Sequence, residues 1–120
     1  MKTILIVDDL ESVRFYHQLL LRQAGFQTLE ASDGVEALRL LEGNPVDLVI
    51  LDLVMPRMSG SEFQARARAI PRYDGLPVLV ITSEAQSAPA ATAGASPTCE
   101  VLQKPIPPGQ LLAAVVRLLG

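Results

Sequence analysis

The chain has 120 residues, 49% of them hydrophobic, and carries a net charge of −3 with a single cysteine. That length allows one domain with a buried core, and the apolar content excludes a disordered chain. The acidic balance argues against nucleic acid as the main partner, since phosphate binding needs a basic patch, and a lone Cys99 excludes an intrachain disulfide.

Met1 to Val7 has the beginnings of a secretion signal. Its apolar run is short, however, and is cut by Asp8-Asp9 without a small-residue cleavage site. No segment reaches the length of a membrane span, so no membrane association and a cytoplasmic location are expected. Thr3 to Val7 reads instead as a buried strand ending in acid. Glu11 to Ala24 has helical spacing, with Val13, Tyr16, Leu20 and also Leu19 expected to face inward, and Gly25 closes it. His17 on this helix is expected at the surface, and Phe15 and Tyr16 at the core or its rim. Phe26 to Ala31 reads as a second strand. Asp33 and Glu36 have capping-box spacing and open a helix through Val35, Leu38 and Leu41 that ends near Gly43-Asn44-Pro45.

Leu48 to Leu51 is a continuous apolar run of the kind buried on both faces of a parallel sheet, and it ends in Asp52. Ser59 and Glu62 again have capping-box spacing, for a helix from about Gly60 to Ile70 that Pro71 stops. Pro77 to Ile81 is a fourth strand closing on Thr82-Ser83. Glu100 to Gln103 is a fifth, before Lys104-Pro105. Pro108 to Leu119 is a last helix with proline in its first turn. Between Ala85 and Thr98 there is no Val, Ile, Leu, Met or aromatic residue, so a fourth helix placed there is short or irregular, or a loop.

Strands alternating with helices predict a three-layer α/β/α sandwich around a five-stranded parallel sheet. The strand order 2-1-3-4-5, the flavodoxin-like one, is taken from known doubly wound folds and not read from these residues. It brings the carboxyl ends of strands 1, 3, 4 and 5 together, where such sheets bind ligands. Those ends carry Asp8-Asp9, Asp52, Thr82 and Lys104. Three converging carboxylates repel one another unless a cation sits among them, and hard oxygen donors with few protein atoms suit Mg2+. Lys104 offers a compact positive charge for a phosphoryl oxygen, and Thr82 a hydroxyl. The set fits in-line phosphoryl transfer onto Asp52.

Through Ile6-Val7-Asp8-Asp9, Asp52 with Met55-Pro56 and Gly60, Thr82-Ser83 and Lys104-Pro105, the sequence resembles response-regulator receiver domains (CheY-like) over essentially its full length. The resemblance implies a receiver spanning residues 1–120, in which Asp8 and Asp9 hold Mg2+, Asp9 the more directly, with the backbone carbonyl of Val54. Asp52 is then the phosphoacceptor and also a metal ligand, Thr82 the switch hydroxyl, and Lys104 the contact to the phosphoryl group. The donor would be a histidine kinase or a histidine phosphotransfer protein of a two-component system. No further domain follows Gly120 in this sequence, so the expected output is a contact with a downstream protein. The chain would be no enzyme beyond Mg2+-dependent phosphorylation and dephosphorylation of its own Asp52.

Two features depart from the family pattern or go beyond it. Three residues before Lys104, where receivers usually carry a switching aromatic, stands Val101, whose β-branched side chain has few rotamers. That keeps open an adaptor that signals by protein binding without obligatory phosphorylation. The last helix is apolar nearly all round, which suggests docking or homodimerisation through it. A haloacid-dehalogenase-type hydrolase would need an acid at the Val54 position. A flavin or nucleotide binder would need a phosphate cradle where Asp8-Asp9-Leu10 stands.

Overall fold

Five short strands set the architecture; the middle three of the sheet are runs of β-branched residues and leucines that fit a pleated, fully covered surface, and the two at its edges are more polar. The computed structural model describes residues 2–52, 60–70, 75–82, 99–103 and 106–119. The strands are β1 (Thr3–Val7), β2 (Gln27–Ala31), β3 (Leu48–Asp52), β4 (Val78–Thr82) and β5 (Cys99–Gln103). They form one sheet in the order β2-β1-β3-β4-β5, with every pair parallel. Four helices occur among the described residues: α1 (Glu11–Gln23), α2 (Gly34–Gly43), α3 (Gly60–Arg68) and α4 (Pro108–Leu119). Residues 85–98, expected to form a short or irregular helix or a loop, lie outside the described residues.

Alternation along each strand feeds two separate cores. Leu5, Val7, Val49, Leu51, Val78 and Val80 point to one face and pack with Ala37 and Leu41 of α2 and Phe63 and Ala67 of α3. Ile4, Ile6, Leu48, Ile50, Leu79 and Ile81 point to the other, with Leu21 of α1 and Leu111, Ala114 and Val115 of α4. This is the three-layer sandwich, with two of the four described helices on each face. Because both faces are covered, β3 and β4 are buried at every residue.

The helix ends follow local chemistry. Asp33 caps α2 by accepting from the Glu36 N–H at 2.9 Å. Glu36 reaches back, but to the N–H of Ser32 at 3.2 Å, one residue earlier than the usual capping box. At the end of α1, the Gly25 N–H donates to the Arg22 carbonyl and the Phe26 N–H to the Leu21 carbonyl, both at 3.0 Å. These two bonds form a Schellman closure, and Gly25 takes the positive φ of 96° that it requires.

The inward faces of α1 and α2 differ from the sequence expectation. On α1 the buried residues are His17, Gln18 and Leu21, while Val13 and Leu20 are half-buried and Tyr16 and Leu19 exposed. His17 is thus a core residue, only 4% exposed, whereas Phe15 is 65% exposed. The physical reason is that α1 carries apolar residues on every side, so hydrophobicity alone does not fix its rotation. Arg14, His17, Gln18 and Leu21 form one i, i+3, i+4, i+7 stripe, and the polar ties of Arg14 hold that stripe against the sheet. On α2, Leu41 fills the core and Leu38 packs against it as expected, but Val35 is exposed and Ala37 is buried in its stead.

Candidate functional site

Parallel strands in register deliver their terminal residues to one edge. Val7 pairs with Leu51, so the next residues, Asp8 and Asp52, reach the same edge on neighbouring strands. Asp52 pairs with Ile81, which brings Thr82 one step further along the same edge, and Thr82 pairs with Gln103. Lys104, the residue after Gln103, and Val54, with its backbone carbonyl, both lie outside the described residues.

Asp8, Asp9 and Asp52 each offer one carboxylate oxygen, and these oxygens all lie within 4.8 Å of one another. Asp8 is fully buried and Asp52 is 9% exposed, whereas Asp9 is open to solvent. The Thr82 side chain is buried beside them. Carboxylates gathered this closely form a concentrated negative field that a hard divalent cation such as Mg2+ would neutralise, and the donor set is all oxygen, as such ions require.

The backbone around the acid pair is tied down. The Asp8 N–H donates to the Ala31 carbonyl of β2 at 3.2 Å, which carries the sheet ladder one residue past Val7. The Asp8 Oδ1 accepts from the Leu10 N–H at 3.0 Å, an Asx turn that starts the chain into α1. Arg14, on the first turns of α1, donates through Nη1 to the Asp8 carbonyl oxygen at 2.6 Å and through Nε to Glu30 Oε1 at 2.7 Å. The Arg14 guanidinium beside Glu30, helped by Gln18, holds that carboxyl below the usual carboxylate range. Neither Arg14 nor Glu30 stands out in the sequence. Their one visible signal is that Arg14 shares a helical stripe with Leu21.

Comparison with known proteins agrees with this architecture. The family model described as the response regulator receiver domain matches residues 4–116. The chain is 43% identical over 84 residues to the chemotaxis protein CheY of Pseudomonas aeruginosa, covering 69% of this chain and 68% of that protein. It is 34% identical over 84 residues to the CAI-1 autoinducer sensor kinase/phosphatase CqsS of Vibrio cholerae, covering 69% of this chain and only 12% of that much longer protein. Among solved structures, the chemotaxis response regulator CheY4 of Vibrio cholerae superimposes with a TM-score of 0.90 at 33% identity, covering 98% of both chains. The response regulator TrrA of Thermotoga maritima, in complex with Mg2+ and BeF, gives a TM-score of 0.86 at 28% identity, over 98% of this chain and 99% of that one. No helix among the described residues is long and apolar enough to cross a membrane. From the sheet order, the acidic edge and a family match running almost end to end, this chain belongs to the CheY-like receiver domains of two-component response regulators.

Proposed function

We propose that Asp52 accepts a phosphoryl group from a histidine kinase or a histidine phosphotransfer protein in a Mg2+-dependent reaction, and that the aspartyl phosphate alters contacts with a downstream protein. The observation that carries this reading is the meeting of the Asp8, Asp9 and Asp52 carboxylates, within 4.8 Å, at the carboxyl edge of the sheet. Asp8, Asp9 and Asp52, with the backbone carbonyl of Val54, would hold the ion. When bound, Mg2+ supplies charge neutralisation for the phosphoryl oxygens. The complex of TrrA with Mg2+ and BeF supports the assignment by analogy.

The chemistry of the chain itself is an in-line displacement. A carboxylate oxygen of Asp52 attacks phosphorus, the P–N bond of the donor phosphohistidine breaks, and its electron pair stays on the imidazole nitrogen. Lys104 would contact a phosphoryl oxygen and Thr82 would donate its hydroxyl to another. Attack of water on phosphorus later returns the Asp52 carboxylate and inorganic phosphate. The chain is therefore a substrate that assists its own modification, not a turnover enzyme.

Signalling follows from the charge gained. The phosphoryl group brings about −2 of charge and three acceptor oxygens beside Thr82 at the end of β4. A shift of Thr82 toward it would bias the neighbouring β5 and α4, the expected readout surface for a downstream protein or a second copy of the chain. Val101 is half-buried against the α2 and α3 core and has no ring to swing. The readout is therefore expected to be a backbone adjustment of β5, not an aromatic flip.

The test is incubation with acetyl phosphate and Mg2+ followed by intact-mass measurement. One phosphoryl adduct is expected, absent with a chelator and absent in Asp52→Asn. An adduct that persists in Asp52→Asn, or steady hydrolysis without any adduct, overturns the proposal.

A further inference from the structure

Asp9 stands on a bend with its side chain open to solvent, yet it is the carboxylate that must be aimed if the trio is to act as one site. The direction in which its Cα–Cβ bond points is set by the backbone on either side. Here both peptide groups that flank Asp9 are fixed, by different partners. The peptide before it is held through the Asp8 carbonyl, which accepts from Arg14 Nη1 at 2.6 Å. The peptide after it is held through the Leu10 N–H, which donates to Asp8 Oδ1 at 3.0 Å. Arg14 is in turn anchored, because its Nε donates to Glu30 Oε1 on β2 at 2.7 Å while its side chain is only 13% exposed.

We infer that Arg14, braced by Glu30, is a positioning residue that pre-orients the Asp8-Asp9 turn for a divalent cation. The inference rests on the Mg2+ reading above and adds to it a device outside the carboxylates. A planar guanidinium suits the task, because its fixed fork presents donors on separate nitrogens to two acceptors, whereas the donors of an ammonium all radiate from one flexible point. Groups that orient a ligand without touching the metal typically change metal affinity by about 10- to 100-fold when removed.

Simple electrostatics gives the opposite sign, which makes the inference testable. Arg14 is a positive charge beside a cation site, so its removal should tighten Mg2+ binding if charge alone mattered. The experiment is a calorimetric titration of the full chain with Mg2+ alone, for wild type, Arg14→Ala, Arg14→Lys and Glu30→Gln, with folding checked by circular dichroism. Arg14→Ala is expected to bind about tenfold more weakly, at the low end of the range for such groups. Arg14→Lys should be weakened nearly as much although it keeps the charge, and Glu30→Gln by a smaller factor. Equal or tighter binding by Arg14→Ala overturns the inference. So does wild-type affinity in Arg14→Lys with Glu30→Gln, the pair that decides the matter if Arg14→Ala does not fold. Absence of Mg2+ binding by the wild type is a different result, and it removes the metal reading together with this inference.

Discussion

Neutralising Asp52 should stabilise the metal-free protein. Two unit charges 4.8 Å apart repel by about 0.9 kcal/mol in a water-like dielectric and about 3.5 kcal/mol at an effective dielectric near 20. The Asp8–Asp52 pair is buried and belongs toward the upper figure; the pair with exposed Asp9 belongs toward the lower one. Asp52 also has polar interactions of its own, and replacing a charged acceptor by an amide forfeits roughly 1.5–3 kcal/mol of them. Taking the two pairs at about 3 and 1 kcal/mol, the difference leaves Asp52→Asn more stable by about 1–2.5 kcal/mol in the presence of a chelator. In urea melts, with a slope of about 1–3 kcal/mol per molar, the midpoint rises by roughly 0.5–1 M. Saturating Mg2+ then reverses the order, since ligand at about a hundred times Kd adds about 2.7 kcal/mol to the wild type. A variant that is no more stable than wild type under chelation would refute the argument that the acidic edge is electrostatically strained.

Glu30, whose carboxyl is held low by Arg14, contributes stability above the ordinary carboxylate range and loses it as pH falls through its lowered value. With the Glu30 side chain 49% exposed, Glu30→Gln should cost only about 0.5–1 kcal/mol at neutral pH, and melts of the two proteins should converge in acid. Phe63, fully buried where α3 meets the sheet, should cost about 3–5 kcal/mol on truncation to alanine, measured by urea unfolding. Gly25→Ala meets open space but must hold a φ of 96°, so a loss of about 1 kcal/mol is expected from the backbone alone. A thermal melt of Gly25→Ala equal to wild type would show that the Schellman closure relaxes freely.

What could be read from the sequence was what a strand makes periodic and local. Leu48 to Leu51 and Val78 to Ile81 are apolar at every position because both faces of the sheet are covered, and each run stops on a polar residue at one edge. Asp8, Asp52 and Thr82 were therefore legible as edge residues once the sheet was taken as parallel in the order 2-1-3-4-5. The rotation of α1 was not legible. Three of the four residues on its buried stripe, Arg14, His17 and Gln18, are polar, so apolar spacing points to half-buried Val13 and Leu20 and to Tyr16 and Leu19, which face out. The Arg14–Glu30 contact spans 16 residues of sequence and joins a helix to a strand. No local pattern encodes it. The exposed Phe15, Tyr16 and Leu19 show the same limit from the other side, since an apolar residue on a surface helix does not announce which way it points.

Four side chains serving the Asp52 carboxylate is the central claim, and chemical mapping of the modified residue addresses it most directly. Phosphorylating the protein with acetyl phosphate and Mg2+, reducing with borohydride and sequencing the peptides by mass spectrometry should convert Asp52 alone to homoserine. Conversion at Asp8 or Asp9, or a phosphoryl group recovered on His17 with Asp52 untouched, would contradict the account.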